Sequence, residues 1–261
     1  MIAKRWCAGL FCAAIGWAQP SNQLGIAHVA FRVADLESAR SFYQRLGFEQ
    51  FFEMKQGERT TEAFLKINDR QFIELYPRSD PSQSLGLMHV CYESGDLEAL
   101  HAEYMTRGLT VSDVRKAGAG NLLMTMKDPE GQTIEFTQYM PGSRHYQDRG
   151  KHLGADRVSQ MLIGATATAR DVAAMRAFYI DKLGFRELAG SALGVPGDSR
   201  QELEIAASDA RMKSGMQFGA SDLQQTAGLL TGLGLRVQGS ATARMVSDPD
   251  GNVISFLKWQ D

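Results

Sequence analysis

The chain of 261 residues holds only three cysteines, and two of them, Cys7 and Cys12, fall near its start. Long apolar runs are missing as well. The longest, Trp6 to Trp17, follows Lys4 and Arg5 and gives way to Ala18, with Gly16 two places before it. A basic start, a short apolar stretch and a small-x-small pair form the signature of a secretory signal peptide. The run is too short to span a bilayer comfortably. The expectation is a signal peptide over residues 1–18 and an exported protein, periplasmic or secreted. Neither Cys7 nor Cys12 follows the small residues that a lipoprotein cleavage box needs. Without residues 1–18, Cys91 stands alone and an internal disulfide is excluded.

Excess charge of one sign is absent too. The formal net charge is -2, becoming -4 once Lys4 and Arg5 are removed. That gives no electrostatic ground for nucleic acid as a partner, nor for an anionic membrane after signal cleavage. There is no low-complexity tract, and a composition of 44% hydrophobic and 22% charged residues is that of a globular protein. Histidine, finally, is missing from the whole of residues 153–261.

What the chain does have is repetition, and repeats decide the fold. "HVAFRVADLESARSFYQRLGF" from His28 is echoed by "HVCYESGDLEALHAEYMTRGL" from His89. His28 and His89, Asp35 and Asp96, Tyr43 and Tyr104, Gly47 and Gly108, and Glu74 and Glu135 all keep the same offset of 61 residues. A second half repeats the pattern more loosely: Ala169 onward echoes Val33 onward, Ser221 onward echoes Gly95 onward, and "DPDGNVISF" echoes "DPEGQTIEF". Each of the four units reads as strand, helix, then three strands. The helices start at Asp35, Asp96, Asp171 and Asp222, whose carboxylates suit an N-cap. They stop at Gly47, Gly108, Gly184 and Gly234. The "DPEG" and "DPDG" stretches are turns between the last two strands of their units. The polar, Gly-rich stretch 141–156 reads as a linker between one domain over 24–140 and another over 157–259.

Chemistry concentrates in the first half. In "GIAHVAFRV" (25–33), a period of two puts Ile26, His28, Ala30 and Arg32 on one face and Val29, Phe31 and Val33 on the other. His28 precedes Glu74 by 46 residues, and His89 precedes Glu135 by the same 46. All four sit mid-strand among apolar neighbours. An ionised carboxylate on a buried strand is costly unless paired or bound to a cation. Either histidine alone reads more readily as a core residue with a local hydrogen bond than as a ligand. Both residue types, duplicated at equal spacing, point instead to one divalent ion held by His28, Glu74, His89 and Glu135. Cys91 reads as a small core residue. His101 reads as a solvated helix position, His145 and His152 as linker residues, and Phe42-Tyr43 and Phe178-Tyr179 as core.

These motifs, "HV-x-F-x-V-x-D-L", "FY-x-x-LGF" and "DPEG-x-x-IEF", resemble the vicinal oxygen chelate superfamily. That group includes glyoxalase I, methylmalonyl-CoA epimerase, fosfomycin-resistance transferases, bleomycin-resistance proteins and extradiol dioxygenases. The resemblance implies an α+β fold of four βαβββ modules forming two open barrel-like mixed sheets. A His-Glu-His-Glu set resembles bacterial glyoxalase I, with a non-redox divalent ion (Ni, Zn, Co or Mn). His-His-Glu alone resembles the extradiol dioxygenases, with Fe. The first implies a lyase or isomerase, with Glu135 as the base and Glu74 as its alternative. The second is a ring-cleaving dioxygenase. A third reading is a non-catalytic small-molecule binder of the bleomycin-resistance kind.

Arg32 matches a glyoxalase I arginine that binds the γ-glutamyl end of glutathione. Arg78, however, stands where that family has asparagine, and the loop "RKAGAGN" (115–121) is short. Together Arg32 and Arg78 imply a small anionic substrate. Some members of the family build a site from two subunits, so a homodimer is an expectation as well. In the second half His28 maps to Gly164, His89 to Gly215 and Glu135 to Ser255, while Glu204 alone keeps its acid. That half is expected to be metal-free. Extradiol dioxygenases carry their metal in the second domain, so this chain is reversed relative to them.

Overall fold

A computed structural model of the protein describes residues 22–208 and 214–259. The expected signal peptide, with Cys7 and Cys12, lies outside the described residues. The first unit runs β1 (Gln23–Val33), α1 (Leu36–Arg45), β2 (Gln50–Gln56), β3 (Arg59–Lys66) and β4 (Phe72–Pro77). The second runs β5 (Gly86–Ser94), α2 (Leu97–Thr106), β6 (Arg115–Lys116), β7 (Leu122–Lys127) and β8 (Thr133–Gln138). A short helix, α3 (Arg144–Gln147), leads to the third unit: β9 (Leu162–Ala169), α4 (Val172–Ala177), β10 (Arg186–Glu187), β11 (Ala192–Gly194) and β12 (Glu202–Ala207). The fourth is β13 (Gly215–Ala220), α5 (Leu223–Gly232), β14 (Gln238–Gly239), β15 (Ala243–Ser247) and β16 (Val253–Lys258). The chain is therefore α+β, built from four βαβββ modules.

The helices begin where the aspartates are. Asp35, Asp96, Asp171 and Asp222 each accept a hydrogen bond from the backbone N–H three residues on. Substituting such a cap by alanine typically costs about 1 kcal/mol. Gly47 ends α1 at a φ of +86°, and a Cβ there would lie 2.4 Å from Arg157 Cα, so both backbone conformation and packing require glycine.

Two eight-stranded mixed sheets result, ordered β2-β3-β4-β1-β5-β8-β7-β6 and β10-β11-β12-β9-β13-β16-β15-β14. In each module the first strand pairs parallel with the last, a pairing that needs a crossover, and the helix supplies it. The two first strands of a half pair antiparallel at the sheet centre, β1 with β5 and β9 with β13. The first and last strands of two modules thus meet in the middle. One face of this centre is apolar and packs under the helices. Val29, Phe31, Leu75, Tyr92 and Phe136 are fully buried there with Tyr43 of α1 and Tyr104 of α2. The other face is left for the polar residues.

The halves share one continuous core. Phe48 stacks on Phe218 at 5.1 Å, and the Tyr43 hydroxyl donates to Asp248 at 3.1 Å. Gln71 and Leu162 exchange two hydrogen bonds at 2.9 Å. The stretch 141–156 does not run free. Lys66 on β3, almost fully buried, forms ion pairs at 2.9 Å with both Asp69 and Asp148 and draws this segment down onto the first sheet.

Candidate metal centre

Sheet register brings the predicted residues together. On β1, Ala30 lies opposite Glu74 of β4 and opposite His89 of β5. His28, two residues earlier and hence on the same face, lies opposite Cys91, which lies opposite Glu135 of β8. The side chains converge. His28 Nε2 stands 3.4 Å from Glu74 Oε1 and 3.4 Å from Glu135 Oε1. His89 Nε2 stands 3.5 Å from Glu74 Oε2 and 3.7 Å from Glu135 Oε2. The two Nε2 atoms face each other at 3.2 Å. Nitrogen and oxygen donors thus alternate around a common point, with His28, Glu74 and His89 buried and Glu135 half-buried.

The proton inventory of this cluster does not balance by itself. Two imidazoles point Nε2 at each other and at two carboxylates, so several acceptors compete for few protons. Burial pushes His28 down to about 4 and lowers His89 as well, so both are neutral imidazoles. Burial pushes Glu74 up to about 7 and also raises Glu135. Those directions describe groups whose charge lacks a partner. A divalent cation fits the donor set, since neutral imidazole and carboxylate together suit Zn, Mn, Ni or Fe. His28 Nδ1 is buried without a hydrogen-bond partner, and its ring is held by stacking on Phe72 at 4.6 Å.

Several neighbours escaped the sequence reading. The Tyr76 hydroxyl lies 3.0 Å from Glu74 Oε2 and 2.5 Å from Glu62 Oε1. Tyr76 follows Glu74 by two residues, so a period of two could have placed it. Glu62 sits on β3, where no counterpart in the second module signalled it. Burial first, then the charge of Glu74, pushes Glu62 up to about 8. The sequence places His145 in the linker, yet it reaches the site, because the Lys66–Asp148 pair folds that segment back. Cys91 is fully buried as expected, but its thiol lies beside His28 and Glu135, and burial pushes the thiol up.

A cavity of about 270 Å³ opens over the cluster, walled by Phe64, Phe72 and Met54 and by the loop that starts at Arg115. Arg32 and Arg78, expected to receive an anion, do not line it. Arg32 lies four residues beyond His28 along β1 and donates to the Ser84 carbonyl at 3.1 Å. Arg78 lies past the end of β4, exposed. The cation on the cavity wall is Arg115.

Register in the second half confirms the residue correspondence. Glu204 lies opposite Thr166 as Glu74 lies opposite Ala30. Gly215 lies opposite Thr166, Gly164 opposite Gln217, and Gln217 opposite Ser255. Glu204 meets hydroxyls and an amide there. Thr166 donates to it at 2.9 Å, Ser191 at 3.0 Å and Gln217 at 3.3 Å.

Residues 25–136 match the model of the Glyoxalase/Bleomycin resistance protein/Dioxygenase superfamily. No curated protein matches the chain by sequence. Among solved structures, the 2,3-dioxygenase LapB from Pseudomonas sp. KL28 is similar at a TM-score of 0.72 and 14% identity, covering 92% of this chain and 93% of that one. The Mn(II)-bound glyoxalase from Novosphingobium aromaticivorans is similar at 0.70 and 15%, covering 91% and 82%. Homoprotocatechuate 2,3-dioxygenase from Arthrobacter globiformis is similar at 0.67 and 18%, covering 93% and 81%. Identities this low speak for the fold. The family model thus matches the first half of the chain, and the solved structures share the fold of both halves.

Proposed function

We propose that the protein is a divalent-metal-dependent enzyme acting on a small molecule, by removal of a proton next to a carbonyl, as in a lyase or isomerase. The observation that carries this reading is the symmetric approach of both carboxylates to both imidazoles, which makes four ligands more natural than three. A cation held by His28, Glu74, His89 and Glu135 would supply Lewis acidity to the substrate's carbonyl. Glu135 is the base in this proposal. Its carboxylate is half-buried on the cavity side, and burial raises its proton affinity toward the range a general base needs. Glu74 is the alternative, but the Tyr76 hydroxyl ties one of its oxygens in place. Phe64 and Phe72 line the cavity over the cluster and would keep water from the reacting atoms. The N-terminal sequence supports an exported setting for this chemistry.

Ring-cleaving dioxygenation is the second reading, and likeness to solved structures speaks for it more than for the first. Two of the three relatives named above are 2,3-dioxygenases, and that fold alignment spans nearly the whole chain. It would use His28, His89 and Glu135 as a facial triad with Fe, leaving Glu74 unbound. Metal analysis of the purified protein with oxygen-electrode assays separates the two. Ni, Co, Zn or Mn without oxygen uptake supports the first, and Fe with uptake supports the second. Wild-type metal content in both His28→Ala and His89→Ala would remove the basis of each.

A further inference from the structure

His145 is the one histidine outside the ligand set that reaches the cavity, and it carries a buried polar atom with nothing to bond. Its ring is packed by Phe72 at 4.4 Å, Phe52 at 5.2 Å and Phe51 at 5.3 Å. The hydrogen bonds fix its tautomer. Asn121 accepts the Met140 N–H through Oδ1 at 3.2 Å, so its amide nitrogen is the end that faces His145 Nδ1, at 2.8 Å. Nδ1 is therefore an acceptor, and the ring proton sits on Nε2. That N–H has no partner, although the residue is more than nine-tenths buried. An unmet buried donor costs about 1–3 kcal/mol. Burial above all pushes this imidazole down to about 3, so it stays neutral with its single proton on Nε2 across the working pH range. Two further contacts hold the residue in place: Arg144 N donates to Ala119 O at 2.9 Å, and Lys66 pairs with Asp148.

We propose that His145 Nε2–H is the specificity-determining donor for a small, flat substrate whose far end carries an acceptor oxygen, a carbonyl or a carboxylate. The idea rests on the metal reading given above, which fixes the near end. Phe72 packs against both the His28 and the His145 rings, and all three line one cavity, so a ligand seated at the cluster reaches the covered Nε2 of His145 by displacing this phenyl ring. At about 270 Å³ the cavity lies just below the roughly 300–1,000 Å³ of common small-molecule sites, so the ligand is small. Phe64 and Met54 favour a flat apolar body between the two polar ends.

The test uses the Zn(II)-loaded protein and three chelating probes titrated calorimetrically: benzohydroxamate and its 3-acetyl and 4-acetyl derivatives. In the wild type at least one acetyl compound should bind about tenfold more tightly than the parent, the worth of one buried hydrogen bond. His145→Phe keeps the aromatic packing and should erase that gain while leaving parent affinity within about twofold. His145→Gln can accept from Asn121 and still donate, and should restore part of it. Absence of any gain in the wild type, or a gain that persists in His145→Phe, overturns the proposal. Failure of the metal reading shows separately, as a protein that retains no stoichiometric metal before any probe is added.

Discussion

The two halves have the same topology, the same strand register and the same aspartate caps, yet they spend the centre of the sheet differently. The first places His28, Glu74, His89 and Glu135 there. The second places Gly164, Glu204, Gly215 and Ser255, with Gln217 where the first has Cys91. Gln217 fills the room that a histidine would need, since a Cβ on Gly164 would lie 2.6 Å from its Oε1. The fold therefore does not require the polar cluster. Buried imidazoles and carboxylates are costly to keep, and the second half shows the sheet assembled without them. Packing does not call for them in the first half, and the proposed metal site accounts for them.

The comparison breaks most sharply if the first half is made to look like the second. Removing both imidazoles, His28→Ala with His89→Ala, should lower metal affinity by far more than the ~100-fold typical of losing an outer-shell partner. Elemental analysis after dialysis checks this. The metal-free variant should melt no lower than metal-free wild type, because the strands keep their partners. The reverse exchange should fail. A Cβ on Gly215 would lie 2.3 Å from the Val253 carbonyl oxygen, so Gly164→His, Gly215→His and Ser255→Glu should destabilise the protein without creating a second metal site.

Tyr76 comes next in size. Tyr76→Phe leaves Glu62 and Glu74 without the hydroxyl between them. Metal affinity should fall by about 10–100-fold, as for other second-layer partners. Competition with a fluorescent chelator measures it, and unchanged affinity would show that Glu74 is not held through Tyr76.

A smaller effect is the pH dependence of the metal-free protein. Glu74 and Glu62 have folded pKa values raised to about 7 and about 8, so the folded state binds these protons more tightly than the unfolded chain does. Their stabilisation is present below about 4.5 and is lost as pH rises through 7 and 8. His28, lowered to about 4, acts oppositely: its contribution is present above about 6.5 and is lost as pH falls toward 4. Of these three groups, only the two carboxylates titrate in the folded protein between pH 6.5 and 9. The metal-free melting temperature should drop across that window, and saturating metal should abolish the drop. Glu62→Gln should flatten it in the metal-free protein.

Much of this was legible in the sequence. The offset of 61 residues gave the modules, and the aspartates and glycines gave the helix ends. The equal His–Glu spacing located four side chains that the structure brings to one point. What escaped has a common cause. Repeats report only what is duplicated: Glu62 and Tyr76 have no counterpart in the second module, and His145 lies outside both modules. His145 also depends on the buried Lys66–Asp148 pair, a contact 82 residues apart that no periodicity encodes. The arginines were misplaced for a simpler reason. Sharing a strand face with His28 says nothing about distance along it, and four residues at about 3.3 Å each carry Arg32 well beyond the cluster.

The smallest expected effect belongs to Glu204, the acid common to both halves. In Glu204→Gln one oxygen remains to accept from Thr166 or Gln217, and the Ser191 hydroxyl can rotate to accept from the new amide. The cost should be about 1 kcal/mol or less, the worth of one rearranged hydrogen bond. Metal content should not change. Glu74→Gln, at the equivalent register position, should instead lose metal, because an amide cannot replace an anionic ligand among buried imidazoles. Denaturant unfolding and elemental analysis of the two variants side by side check both halves of the contrast. A loss of metal in Glu204→Gln would mean that the second half takes part in the site and that its glycines and serine are not the mark of a purely structural copy.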